Sequence, residues 1–151
     1  MLSFPMKYLS AGALIFDGQG DVLLVKPTYK DGWEIPGGIV EQDESPVQAC
    51  RREIREELGL EIRVGPLLVM DAVLRRNGLS DSFQMVFSGG VLAPEQIAAI
   101  RLPAAELSEY RFVAPDTVAS LVLAALSMRI AASLRALAEG RTLMLHAGVE
   151  E

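Results

Sequence analysis

The feature that most constrains this chain is a predicted helix at residues 46–58, with clear sequence signals at both ends. Ser45 can cap the first turn, and Gln48, three residues later, can complete a capping box. Pro46 suits the first helical position. Gly59 supplies the left-handed residue that commonly ends a helix. The sequence therefore predicts one well-bounded helix in mid-chain.

Three glutamates converge on one side of this helix, in its last two turns. Their spacing of i, i+3 and i+4 places them within an arc of about 100°. They are Glu53, Glu56 and Glu57. The helix dipole is negative at this end, so each acid is disfavoured there by roughly 0.3–1 kcal/mol. Because Mg²⁺ is typically held by one or two carboxylates together with substrate phosphates, the cluster indicates a cation site.

The alternative is an ordinary solvated helix face, on which the acids pair with the arginines at 51, 52 and 55. Some pairing is expected. However, Arg51 and Arg55 point about 160° around the helix from Glu53, which is too far to neutralise the cluster. The metal-binding hypothesis therefore explains the acids better than surface pairing does.

The helix also needs an apolar face that can pack against the core, and apolar residues within an arc of about 80° provide it. They are Val47, Cys50, Ile54 and Leu58. We expect Cys50 to be an inert core thiol. As the only cysteine it cannot form an internal disulfide, which is consistent with a reducing compartment, and we expect the cytoplasm.

Length and charge exclude several classes of protein. The chain has 151 residues and a net charge of −6, and we expect a single domain at 1–151. Binding to a nucleic-acid polymer needs clustered lysine and arginine, so no such partner is expected. A signal peptide and a membrane span are not expected either. The only histidine, His146, makes a histidine-based triad or zinc cluster improbable.

Hydrophobic patterning predicts an α/β or α+β domain with a mixed sheet. We expect a hairpin and a short third strand before the helix, at 8–16, 21–26 and 33–35, the third stopped by Pro36-Gly37-Gly38. Strands within 62–74 and 83–87 flank the turn signal Arg76-Asn77-Gly78. A connection at 93–109, a strand at 110–113 and a helix from Asp116 or Thr117 to about Ala138 complete the chain.

The last predicted helix carries an apolar stripe that indicates a core-facing element. Its members are Val118, Leu121, Val122, Ala125 and Met128. The alanine-rich continuation at 131–138 is a candidate contact for a homodimer.

Residues 38–60 match a known motif at every fixed position. Gly38, five residues, Glu44, seven residues and then Arg52-Glu53-Ile54-Arg55-Glu56-Glu57-Leu58-Gly59-Leu60 resemble the Nudix box. The preceding residues 33–38 resemble the family's approach to the box. The strand Arg111-Phe112-Val113 before a terminal helix resembles its usual close.

The resemblance implies an α/β/α sandwich and hydrolysis of a nucleoside diphosphate linked to another group. By position in the motif, Glu53, Glu56 and Glu57 would bind Mg²⁺, or Mn²⁺ in its place. The carbonyl of Gly37 or Gly38 would be a further ligand. Glu44 and Arg52 would orient the helix and its acids.

Several roles stay open at this stage. The general base could be Glu53 or Glu56, or an acid outside the box: Glu95, Glu106 or Glu109. Trp33 could stack on a base or simply pack beside the turn, and Gly37 and Gly38 could contact substrate. Cations that could meet phosphates, or remain solvated, are Lys26, Lys30, Arg75 and Arg76.

The substrate is set outside the box, and a nucleoside triphosphate is favoured only by elimination. ADP-ribose or a nucleotide sugar is the alternative for an enzyme. A module that senses a nucleotide without cleaving it, or an acidic helix that only contacts another protein, represents a different class of function.

Overall fold

The computed structural model describes residues 3–75 and 81–151, which are built around a mixed sheet. The strands are β1 Tyr8–Phe16, β2 Val22–Pro27, β3 Gly37–Ile39, β4 Leu67–Val73, β5 Ser82–Val91, β6 Leu107–Val113, β7 Leu143–His146 and β8 Val149–Glu150. The helices are α1 Pro46–Leu58, α2 Pro94–Ala98 and α3 Ala124–Glu139, with a 3-10 turn at Val118–Ser120. The strand order is β6-β2-β1-β5-β4-β7-β8, and β3 pairs with β1.

The sheet is mixed because β1 pairs in parallel with β5, and β4 with β7, whereas the other pairs are antiparallel. Side chains alternate between its two faces. Ala13 and Ile15 of β1 belong to the core cluster that contains α1. Leu14 and Phe16 belong to the cluster that contains α3. Helices cover both faces, which confirms the α/β/α sandwich.

Helix α1 forms where its end signals predict. The Ser45 hydroxyl accepts a hydrogen bond from the Gln48 N–H at 3.1 Å, and the Gln48 side chain accepts one from the Ser45 N–H at 2.8 Å. Gly59 ends the helix with φ of 70°. The predicted buried face is wrong at Val47, which is 40% exposed, whereas Ala49 is fully buried.

Cys50 is buried on the core face of α1, as expected. Burial raises the pKa of its thiol to about 12, and the nearby Glu57 and Glu53 carboxylates add to the shift. The thiol is therefore un-ionised at neutral pH and unreactive.

The predicted strand at 33–35 is wrong. Glu34 forms only an isolated bridge with Val25, and the strand follows at Gly37–Ile39, where it pairs with β1. Glycine permits the pairing, since a Cβ on Gly37 would lie 2.6 Å from the carbonyl oxygen of Ala11. The glycines expected to stop a strand are instead its first two residues.

Strands β4 and β5 pair antiparallel, as the hairpin prediction requires. Their turn, Arg76-Asn77-Gly78, lies outside the described residues. β4 begins at Leu67, later than the predicted start at 62, and β6 begins at Leu107, earlier than 110. The predicted 93–109 connection contains α2.

The predicted start of the last helix is wrong. The chain makes a 3-10 turn at Val118–Ser120, and α3 begins at Ala124. This shifts the helix phase, so Leu126 and Ile130 are buried while Ala125 and Met128 are exposed.

Part of the alanine-rich segment at 131–138 packs inside the protein core and is not available for a contact with another chain. Ala132 and Ala136 are fully buried in the core on the α3 side of the sheet. Leu137 is 41% exposed. A homodimer contact through this segment stays a prediction.

The helices of the described residues are short. α1 has 13 residues and α3 has 16. None of them is long and apolar enough to cross a lipid bilayer.

Replacing Ser45 with alanine should lower the free energy of unfolding by about 1 kcal/mol, because the Gln48 N–H loses its acceptor. Urea denaturation of the wild type and S45A measures the difference. Ser3→Ala, at an exposed position near the N-terminus, is the control and should leave the midpoint unchanged. Equal midpoints for S45A and wild type would contradict a stabilising cap.

Candidate active site

A cavity of about 550 Å³ opens where α1 meets β3. Its wall includes the side chains of Glu53 and Glu57 and the backbone of Gly37 and Gly38. The volume lies within the roughly 300–1,000 Å³ that is usual for small-molecule sites. The acidic helix edge therefore faces a ligand-sized space and not open solvent.

Glu57 is the more buried of the two acids, at 8% exposure. Its Oε1 accepts a hydrogen bond from the Gly37 N–H at 3.0 Å. Burial, with smaller contributions from the charges of Glu53 and Glu106, raises the pKa of Glu57 to about 8 against the opposing effect of the Gly37 N–H. The ionised form thus lacks a positive charge beside it.

Glu53 is held between an arginine and a glycine. Arg52 Nη1 donates to its Oε1 at 2.9 Å. Burial raises the pKa of Glu53, and Arg52 opposes the shift. A Cβ on Gly38 would collide with the Glu53 carboxylate, so a larger residue at this position of β3 would displace this acid from its place in the cavity wall.

Arg52 and Glu44 form a two-bond ion pair on the far side of the acids. Arg52 Nε donates to Glu44 Oε2 at 2.7 Å, and Nη2 donates to Oε1 at 3.0 Å. Nη2 also donates to the Ile39 carbonyl at 3.1 Å. The Arg52 guanidinium lowers the pKa of Glu44 to about 2. The pair therefore links α1, the preceding loop and the end of β3.

Glu56 does not join the other two acids. Its side chain is 55% exposed and accepts from Arg52 Nη1 at 3.3 Å. It does not line the cavity. Within residues 3–75 and 81–151, no group of three or more histidine, cysteine, aspartate or glutamate side chains is arranged to hold a metal ion.

The donor set nevertheless fits a divalent cation. Glu53 and Glu57 are partly or fully desolvated carboxylates that repel each other, and a cation between them would stabilise both ionised forms. Two carboxylates with substrate phosphates are a usual Mg²⁺ environment.

Of the three acids outside the motif, the structure brings one to the cavity. Glu106 lines it, directly before β6. Glu95 lies on α2, away from the cavity wall, and Glu109 pairs with Arg111 at 3.1 Å. Among these three acids, Glu106 is therefore the one placed at the cavity wall, where a general base would have to act.

Trp33 does not line the cavity. It is 7% exposed, belongs to the core, and has the Arg111 guanidinium 4.8 Å from its ring centre. Tyr29, which is 74% exposed, contributes to the cavity wall instead. Tyr29 was not among the predicted site residues, because a lone tyrosine in a polar loop gives no periodic or motif signal.

Of the candidate cations for phosphate, one lies at the cavity. Lys30 lines it and pairs with Glu34 at 2.8 Å. Lys26 lies 5.9 Å from the Trp33 ring centre, and the Arg75 N–H donates to Asp81. Arg76 lies outside the described residues.

The fold and the site define a class of protein, an α/β/α sandwich whose acidic helix and glycine strand face a small-molecule cavity. A model of the NUDIX domain matches residues 6–135, which is most of the chain. The chain belongs to the Nudix family. Nudix hydrolases act on pyrophosphate bonds.

Individual relatives agree with this assignment. A MutT-like protein of Streptomyces ambofaciens is 30% identical over 107 residues, 70% of each chain. The CTP pyrophosphohydrolase of Escherichia coli is 47% identical over 64 residues, which cover 40% of this chain and 47% of that protein's length. The crystal structure of a MutT protein from Methanosarcina mazei is similar with a TM-score of 0.71 and 25% identity, over 94% of this chain and all of that one.

The metal-free protein should lose stability as the pH rises from 5 to 9. The pKa of Glu57 is raised to about 8 in the folded state, so its contribution is fully present below about pH 4.5 and is lost as the pH passes through about 8. Urea denaturation in EDTA across this range measures the loss. Glu57→Gln should flatten the curve, whereas Glu61→Gln, on an exposed acid after α1, should not. An equally steep curve for E57Q would refute the assignment to Glu57.

Proposed function

We propose that the protein is a Mg²⁺-dependent pyrophosphohydrolase of a nucleoside triphosphate, with Mn²⁺ as a substitute ion. One observation carries the proposal: Glu53 and Glu57, one turn apart on α1, lie side by side in the wall of a ligand-sized cavity, and Glu57 has no cationic partner within residues 3–75 and 81–151. A cation that arrives with a polyphosphate would compensate both acids. It would also let a protein with a net charge of −6 accept a small polyanion.

In this proposal Glu53, Glu57 and the Gly38 carbonyl hold the ion, and Glu56 joins them only if it leaves Arg52. The bound ion would neutralise phosphate oxygens and lower the pKa of a water. The Gly37 N–H keeps Glu57 Oε1 in place, and Arg52 keeps Glu53 in place. Glu44 keeps Arg52 in place.

A nucleoside triphosphate is supported by the cavity volume and by the name of one relative, the CTP pyrophosphohydrolase. ADP-ribose or a nucleotide sugar is the alternative substrate. A non-catalytic nucleotide sensor is less favoured, because every acid of the motif is present.

The expected setting is the cytoplasm. Cys50 is a buried free thiol, which suits a reducing compartment. A small nucleotide is a better partner than a nucleic-acid polymer, since the chain is acidic.

The wild type should hydrolyse at least one member of a panel of dNTPs, NTPs, ADP-ribose, NADH, Ap4A and nucleotide sugars, and only with Mg²⁺ or Mn²⁺. A triphosphate should give pyrophosphate or phosphate and a nucleotide, and the linked compounds should give two phosphate esters. Glu53→Gln and Glu57→Gln should each lower kcat/KM roughly 100-fold or more, because each removes a charged ligand. Product analysis by ion-exchange chromatography measures turnover and identifies the substrate.

Glu61→Gln is the matched control for these two variants. Glu61 is an exposed acid beside Arg55 and away from the cavity, so turnover should be unchanged. No turnover of any compound, or turnover insensitive to EDTA and to both site variants, would reject the hydrolase proposal.

Glu106 is the general base that the cavity wall favours among the acids outside the motif. Glu106→Gln should lower kcat about 100- to 10,000-fold with little change in KM, since a carboxylate that accepts a proton acts in the transition state. Glu109→Gln, on the neighbouring strand and paired with Arg111, should have little effect. A wild-type kcat in E106Q would show that Glu106 is not the general base and would leave Glu53 and Glu56 as the candidates.

A further inference from the structure

A buried ion pair joins the sheet to α3. Asp71 on β4 is 1% exposed, and its Oδ2 accepts from Arg129 Nε at 3.0 Å. Its Oδ1 accepts from the Gly148 N–H at 3.0 Å. Both carboxylate oxygens are engaged, so the orientation of the carboxylate, and with it that of the arginine, is fixed.

Stability alone does not account for this pair. Desolvation of two charges often outweighs their mutual attraction, and apolar residues can replace such pairs at no loss. The bond to Asp71 uses Nε and leaves the two terminal nitrogens of Arg129 without a hydrogen-bond partner among residues 3–75 and 81–151. Arg129 lines the cavity. The arrangement therefore presents donors to a ligand.

The neighbouring sheet residues are polar as well. Asp71 pairs with Gln84 across β4 and β5, and Ser10 pairs with Gln84 across β1 and β5. Residues directly opposite each other share a face of a sheet, so the three form a polar row beneath α3. The Ser10 hydroxyl donates to Gln84 Oε1.

The cavity reaches this row. Ser10, Gln84 and Arg129 line it together with apolar Ile35 and Leu126. Arg129 approaches from α3, on the face of the sheet opposite to α1 and its acids. The cavity thus has an acidic part for metal and phosphate, and a part with apolar walls and fixed donors that suits a planar base.

We propose that Arg129, positioned by Asp71, recognises two adjacent hydrogen-bond acceptors on the substrate's nucleobase. The inference rests on the proposed function. A guanidinium offers two parallel N–H donors in one plane. Cytosine presents O2 beside N3, and guanine presents O6 beside N7, whereas neither adenine nor uracil presents two adjacent acceptors. Cytosine and guanine nucleotides are the substrate class that fits.

Steady-state kinetics with CTP, UTP, GTP and ATP test the inference. For the wild type, the ratio of kcat/KM for CTP to that for UTP, and the ratio for GTP to that for ATP, should each be roughly 5 to 150. The difference should arise mainly from a lower KM for CTP and GTP. Arg129→Lys keeps the charge opposite Asp71 but loses the paired donors, so both ratios should fall towards one. Asp71→Asn keeps an acceptor for Gly148, and should lower both ratios by raising KM while kcat is retained.

Asp71→Asn/Arg129→Met removes both charges together, so that neither is left buried alone if a single variant fails to fold. In this double variant the CTP-to-UTP and GTP-to-ATP ratios of kcat/KM should also approach one. Arg135→Met, on the same helix but away from the cavity, is the control and should keep them. Equal rates for all four nucleotides in the wild type, or unchanged ratios in folded variants, would overturn the inference.

Failure of the proposed function is distinguishable from failure of this inference. If no nucleotide is hydrolysed, calorimetric titration with CMP, UMP, GMP and AMP gives the base preference directly. Tighter binding of CMP and GMP that Arg129→Lys abolishes would support the inference without hydrolysis. Equal binding of all four, or no binding, would overturn it.

Discussion

The close approach of the Gly37–Gly38 backbone to α1 determines the position of the site. The Gly37 N–H binds Glu57, and Glu53 lies against the α carbon of Gly38. The same two residues pair with Gly12 and Ala11 of β1. A Cβ at Gly37 would overlap the backbone of β1, and a Cβ at Gly38 would displace the Glu53 carboxylate, so glycine at both positions lets the helix, the strand and both acids lie together.

Charge is distributed unevenly around the acids. Arg52 contacts Glu44, Glu53 and Glu56, and the bond to Glu44 further raises the pKa of the guanidinium. Glu57, on the cavity side, accepts one backbone N–H and has no cationic partner among residues 3–75 and 81–151. Arg52 therefore compensates the acids on one side only, and a cation bound at the cavity would favour the ionised form of Glu57.

Local signals were sufficient for the helix and its acids. The caps of α1 depend on Ser45, Gln48 and Gly59, all within one turn of its ends, so the sequence predicts its bounds correctly. Strand β3 depends on pairing with β1, whose partner residues lie 25 to 29 positions earlier, and no local periodicity encodes that. The start of α3 was missed because Asp116 and Thr117 are residue types that favour a helix start, whereas in the structure Thr117 precedes a 3-10 turn and its side chain makes no capping hydrogen bond. Glu106 and Arg129 reach the cavity through the fold alone, so the sequence could not separate Glu106 from Glu95 and Glu109, and it gave no signal for Arg129.

One cavity is lined by residues from both faces of the sheet, and it lies where β1 and β2 separate. The two strands pair at Phe16 and Val22, beside their connecting turn. Farther along, residues 34–39 lie between them, with Glu34 bonded to Val25 of β2 and the Pro36 carbonyl bonded to Ala13 of β1. This segment bridges the two strands, and the cavity beside it is lined by Glu53 and Glu57 of α1 and by Arg129 of α3. If α1 holds the metal and Arg129 recognises the base, as we propose, the chemistry and the choice of base are carried by different helices, and substrate preference can change through α3 while the acidic motif stays intact.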